Sequence, residues 1–267
     1  MLYFCSMFNS KLLTAYISHQ LTAKTRHGTH SPFVYNLVDE IIYNRTPRIV
    51  YNEIESQRQR LLQDNRIITF KDLGAGSHYN NNKKKSVKTI ASNALKAPKW
   101  AQLIHRIAEW RKAKTIIELG TCLGVTTSYL AKAVPQASVT SVEGCPETAA
   151  VARENISSTN NSNVQVLVGN FDTVLPELLN TQDNVDFVYF DGNHRKEATL
   201  NYFELCLQKA NEDSVFIFDD IHWSQGMEEA WEIIKNHPKV TVTIDLFAIG
   251  LVFFKGGQRK EHFKIKY

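Results

Sequence analysis

Beyond residue 112 the chain repeats one pattern: a short β-branched apolar run, a turn, then a helix-length amphipathic stretch. Apolar runs fall at 115–119, 138–143, 164–168, 185–191 and 214–219, with helical periodicity after most of them. Strands alternating with helices cannot pair as hairpins, so they form a mostly parallel sheet with helices on both faces. Two further runs, 240–246 and 251–255, have no helix between them and predict an antiparallel hairpin at one edge. The expected fold is α/β: a Rossmann-like, doubly wound, seven-stranded sheet over residues 111–267.

Residues 1–110 read differently. Helical patterns cover 8–21, a segment opening at Ser31-Pro32, and 53–63; a short strand fits 66–70. Proline is favoured at the first helical position and serine before it, which sets that helix start. Residues 72–85, rich in Gly, Asn and Lys, are expected to be a loop able to close over a site. A helical stretch from Ser86 breaks near Pro98 and resumes through Trp110. The expectation is an N-terminal helical extension that serves as a lid or a homodimer contact.

With 43% hydrophobic and 22% charged residues, the composition excludes global disorder. A net charge of +4 is too small to argue for nucleic acid. The four cysteines, Cys5, Cys122, Cys145 and Cys206, have no metal-ligand spacing and read as free thiols of a reducing compartment. No signal peptide or membrane-length apolar run is evident, so a cytoplasmic location without membrane contact is expected.

The sharpest motif is Ile116-Ile117-Glu118-Leu119-Gly120-Thr121-Cys122-Leu123-Gly124-Val125-Thr126, a strand running through a glycine turn into a helix. Ligands of such sheets bind beyond the carboxyl ends of the strands. Gly120 and Gly124 allow close backbone approach, and helix-start amides can hold a carboxylate. The spacing is not that of a dinucleotide fingerprint. An acid, Glu118, precedes the turn, and a second, Glu143 followed by Gly144, ends the next strand where ribose hydroxyls are commonly bound. Carboxylates here suit a cationic ligand such as S-adenosylmethionine (SAM). The similar-looking Asp72-Leu73-Gly74-Ala75-Gly76 lacks a following helix and reads as loop.

Two later strands end in acids: Asp191, followed by Gly192-Asn193-His194, and the pair Asp219-Asp220. All three should converge on the edge that carries Gly120. Hard oxygen ligands suit a divalent cation, with Mg²⁺ the first choice, able to acidify a substrate hydroxyl. The bland alternative is that such acids cap loops and helices. His194 reads equally as general base or as a supporting residue.

From these residues the stretch 115–225 resembles the metal-dependent O-methyltransferases of the catechol and caffeoyl-CoA type, and is similar to macrocin-type sugar O-methyltransferases. The resemblance implies that Gly120 and Thr121 line the methionine part of SAM and that Thr126 holds its carboxylate. It places Glu143 on the ribose, and Asn170 and Phe171, in Gly169-Asn170-Phe171-Asp172, beside the adenine. It makes Asp191, Asp219 and Asp220 the metal ligands. The chain departs from the catechol type in having Asp219-Asp220 for Asp-Asn, and His194 where that type has a lysine. The expected activity is SAM-dependent O-methylation of a small hydroxylated molecule. The alternatives are a nucleic-acid methyltransferase, disfavoured because Asp191-Gly-Asn-His194 replaces the usual proline-aromatic motif, and a non-catalytic sensor or scaffold of the same fold.

Overall fold

The computed structural model describes residues 10–71 and 82–267. Its main sheet has eight strands: β3 (Thr115–Leu119), β4 (Ser138–Glu143), β5 (Val164–Val168), β6 (Phe187–Phe190), β7 (Val215–Asp219), β8 (Val242–Asp245), β9 (Ile249–Phe253) and β10 (Glu261–Lys264). Their order is β10-β8-β9-β7-β6-β3-β4-β5. All pairings are parallel except β7–β9 and β8–β9. The chain enters at β3, winds outward through β4 and β5, then crosses back to β6. The loops after β3 and β6 therefore part in opposite directions and open a crevice between them, the usual ligand position of this topology.

The expected count of seven strands is corrected to eight, and the β8–β9 hairpin is not at the edge. β10 adds parallel to β8, with Glu261 opposite Val242, and Lys24 bridges to Ile265 beyond it. Its residues alternate between half-buried and exposed, so Glu-His-Phe-Lys carries no apolar run that periodicity can detect.

Side chains of successive residues leave opposite faces of each strand, and the core divides accordingly. Ile116, Val139, Phe187, Tyr189, Val215 and Ile217 face one cluster, closed by α5 (Pro98–Arg111), α6 (Val125–Ala133) and the segment from Val34 to Ile42. Ile117, Leu119, Val142, Val188, Phe190, Phe216 and Phe218 face the other, under α8 (Phe171–Asn180), α9 (Lys196–Leu207) and α10 (Gln225–Asn236). Each large apolar side chain so buried contributes about 1.5–3 kcal/mol.

The remaining elements pack around this sandwich. α1 (Ser10–Thr22) is anchored by His19, whose ring lies 3.1 Å from Asp245 Oδ1. α2 (Pro32–Asn36) follows Ser31 as expected, although the Ser31 hydroxyl makes no capping bond. The helix continues to Ile42 with a wider π turn, closed by the Tyr43 amide on Val38 O. α3 (Ile49–Gln63) and α4 (Val87–Ala94) form a third cluster with α6 and with Val151 of α7 (Pro146–Ser157).

β1 (Ile67–Lys71) pairs antiparallel with β2 (Asn82–Ser86), so the expected loop 72–85 is corrected over its last residues. Lysine-rich β2 is stabilised by pairing and by Lys85 over the Phe70 ring, not by an apolar run. Residues 72–81, with the glycine-rich Asp72–Gly76 stretch, lie outside the described residues. No helix among the described residues is long and apolar enough to cross a membrane.

Candidate active site

The loop after β3 is built around two glycines that need their freedom. Gly120 has φ +109°, and a Cβ on it would lie 2.1 Å from the Asp191 carbonyl oxygen. The close approach is thus first to the β6 loop. Gly124, at φ +79°, caps α6 with its amide bonded to Thr121 O, and a Cβ there would press on Ile156 and the Ala152 carbonyl. Cys122 between them also takes a positive φ, of 49°. Such conformations in non-glycine residues cost about 1–3 kcal/mol, and three of them, Cys122, Asn193 and Asp220, stand at this strand edge.

Glu143 fixes the loop. Its Oε2 accepts from the Cys122 amide at 2.8 Å and its Oε1 from the Cys145 amide at 2.9 Å. A carboxylate oxygen can accept more than one hydrogen bond, as ribose hydroxyls at this place would require. Gly144, partly exposed, links β4 to α7. Thr121 is bonded to Ser141 at 2.5 Å, and Thr126 sits nearly buried in the first turn of α6. The leading amides of that turn have no acceptor within the helix, as a carboxylate site requires.

Glu118 is wholly buried and sits behind the loop. Its Oε2 accepts from Thr127 and Ser141, while Oε1 has no hydrogen-bond partner. Burial raises its pKa to about 7, against the pull of the two hydroxyls. Asn170 caps α8 through the Asp172 amide, and the Phe171 ring meets Tyr202 edge-on. A Cβ on Gly192 would strike Phe171 at 2.7 Å, so this ring and the β6 loop are fitted to each other. These residues come together as the sequence indicates. They fit SAM: a glycine turn for its methionine, unpaired helix-start amides for its carboxylate and a partly exposed carboxylate, Glu143, for its ribose.

Across the crevice Asp191, Asp219 and Asp220 also converge, but around a residue the sequence reading missed. Lys96, from the short link between α4 and α5, is ion-paired through Nζ with Asp219 Oδ2. Leu95 is buried beside it, and Pro98 restricts Ala97 to extended backbone, which ends α4 and directs the link. The three carboxylates hold the Lys96 ammonium well above the ordinary lysine range despite its burial. Asp219, 2% exposed, has Oδ1 without a donor. Burial, with Asp191 beside it, pushes Asp219 up to about 7 against the effect of Lys96. A proton shared between Asp191 and Asp219 would satisfy that orphaned oxygen. Asp191 is raised by burial and accepts from Tyr189 at 2.9 Å, while Asp220 is raised by burial and by Asp219. His194 Nε2 stands 3.9 Å from Asp191 Oδ1, partly exposed at the mouth.

The expected Mg²⁺ set therefore does not fit a metal as it stands. One carboxylate is already matched by an ammonium, and no cluster among the described residues is arranged to hold an ion. No spacing signal marks Lys96; a lysine in a helix–helix link ordinarily reads as solvated.

A second polar set lies further along the same edge. His222 contacts Asp245 at 2.9 Å and Glu228 at 3.3 Å, and its ring stacks on Phe247. Nothing in the sequence spacing around His222 marks this network.

Comparison with known proteins bears on the domain and the fold that carry these residues. Residues 117–221 match the family model described as "Methyltransferase domain". A catechol O-methyltransferase of Niastella koreensis is 28% identical over 128 residues, 47% of this chain and 57% of the relative. An O-methyltransferase of Aspergillus flavus, imqG, is 30% identical over 114 residues, 40% of this chain and 45% of the relative. The chain thus spans about half the length of the curated relatives it matches. The fold is shared with an O-methyltransferase from Bacillus cereus solved in complex with SAH (TM-score 0.56, 20% identity, 81% of this chain and 94% of that one). Residues 117–221 accordingly resemble a methyltransferase domain, and the Rossmann-like fold that carries them is one shared with a solved O-methyltransferase.

Proposed function

We propose that the protein is a SAM-dependent methyltransferase that O-methylates a small hydroxylated molecule. The observation that carries this reading is the facing of two unlike halves across one crevice. One is a glycine loop pinned by Glu143, and the other is a cluster of charged side chains with a partly exposed histidine beside it. The catechol O-methyltransferase relative favours a phenolic or similar acceptor.

In this proposal Glu143 holds the ribose, Gly120, Thr121 and Gly124 shape the methionine pocket, and Thr126 with the α6 amides receives the carboxylate. Asn170 and Phe171 flank the adenine, and Glu118 supports the loop from behind. Bound there, SAM supplies a methyl group activated by its sulfonium. His194 takes the proton from the acceptor hydroxyl, and Asp191, 3.9 Å away, stabilises the imidazolium that results. Orienting two reactants in a closed crevice supplies much of the acceleration. The reaction is proposed without a divalent metal, because Lys96 already pairs with Asp219, one of the three carboxylates that would bind it. Residues 1–110 add the link that carries Lys96.

Calorimetric titration with S-adenosylhomocysteine tests the cofactor half: micromolar binding by the wild type and its loss in Glu143→Ala support the reading. Transfer of label from methyl-labelled SAM to a panel of catechols and phenols tests the chemistry. A folded protein that binds no S-adenosylhomocysteine would overturn the proposal.

A further inference from the structure

We infer that Lys96 is the built-in cation of the acceptor half, its ammonium holding the place among Asp191, Asp219 and Asp220 that a divalent ion would otherwise take. The inference deepens the reading above and rests on it only for its catalytic meaning.

The geometry has three parts. First, Nζ of Lys96 is bonded to Asp219 Oδ2, and both side chains are largely withdrawn from water, 13% and 2% exposed. A buried carboxylate demands a counter-charge, and a pair so placed is strongly destabilised by loss of either partner. Second, the ammonium lies close enough to act electrostatically on all three acids. A point charge with three rotatable donors can serve several carboxylates at once. Third, Lys96 reaches the site from 123 positions before Asp219, on a link fixed by buried Leu95 and by Pro98. This is a held position rather than a chance surface contact.

A divalent ion would require all three acids unprotonated and free of the ammonium. Here a single positive charge offsets part of the acid charge permanently. In the proposed reaction Lys96 is thus the resident positive charge of the acceptor half, in place before the hydroxyl that gives its proton to His194 enters.

The test is titration with Mn²⁺, followed by electron paramagnetic resonance, on the full chain saturated with S-adenosylhomocysteine. The variants are Lys96→Met, Lys96→Arg, Asp219→Asn and the double variant Lys96→Met/Asp219→Asn. The wild type and Lys96→Arg should bind no Mn²⁺ at this site. Lys96→Met should gain a site at least tenfold tighter than any weak background, and the double variant should lose it. Mn²⁺ bound by the wild type and lost in Asp219→Asn would overturn the inference. So would a folded Lys96→Met that gains no site. If Lys96→Met does not fold, the wild type and Asp219→Asn decide between these outcomes. Failure of every variant to bind S-adenosylhomocysteine would count against the methyltransferase reading, while the Mn²⁺ result would still decide the role of Lys96.

Discussion

The two sides of the crevice are built by opposite strategies. On the cofactor side, Glu118 to Thr126 and Glu143 to Cys145 are neighbours in sequence, and backbone amides satisfy the key carboxylate. On the acceptor side, the acids at the ends of β6 and β7 are completed by a lysine 123 positions upstream of Asp219, and side chains match side chains. A backbone-built half can be recognised from a short motif, because the turn itself is the function. A half built from side chains depends on tertiary placement, and its chemistry can change with one distant residue.

The sharpest way to break this comparison is at the point where the halves touch. Gly120→Ala would set a Cβ 2.1 Å from the Asp191 carbonyl at a positive φ. We expect a loss of about 5 kcal/mol or failure to fold, read by denaturant unfolding. A near-neutral result would mean that the halves are not locked together. Next in size, His194→Ala should lower turnover by about a thousandfold with S-adenosylhomocysteine affinity unchanged. Equal losses in both would move His194 to the cofactor side.

Glu143→Ala should do the reverse of His194→Ala. It removes charge-assisted bonds worth about 2–3 kcal/mol, so S-adenosylhomocysteine should bind roughly 30–160-fold more weakly in calorimetry. The smallest effect concerns the network around Asp245. Asp245 and Glu228 raise the His222 pKa above its ordinary value against the effect of burial. The protonated imidazolium therefore stabilises the fold fully below about pH 6.5, and that stabilisation is lost as pH rises through the folded value. Asp245 is held well below the usual carboxylate range by His19 and His222 despite its burial, so it stays ionised throughout this window. Between pH 6 and 8.5 the wild type should lose about 1 kcal/mol that His222→Gln does not lose, measured by denaturant titration at each pH. Identical pH profiles would remove His222 from the charged network.

These regions also differ in how far sequence reading carries. The strands β3 to β9 are legible because each is an apolar run bounded by turn residues, and the acids at their ends follow from the parallel order. β10 and β2 are not, since Glu-His-Phe-Lys and Asn-Lys-Lys-Lys-Ser become strands only by pairing with neighbours already in place. Glu118 is legible as an acid at the turn, but not as a buried one sharing Thr127 and Ser141. Lys96 and the His19–Asp245–His222 set depend on contacts between distant segments, which no spacing rule encodes.

The link between α4 and α5 has a bearing on how portable this active site is. Residues 117–221 look like a self-contained cassette, with the glycine loop, Glu143 and all three acids inside them. The ammonium that offsets those acids lies outside. A fragment cut to the cassette, or a chimera grafting it onto another N-terminal half, would carry the cofactor loop together with uncompensated buried negative charge. Recombination between relatives is therefore constrained at a junction that local similarity does not reveal: the acids at 191, 219 and 220 must be exchanged together with residue 96.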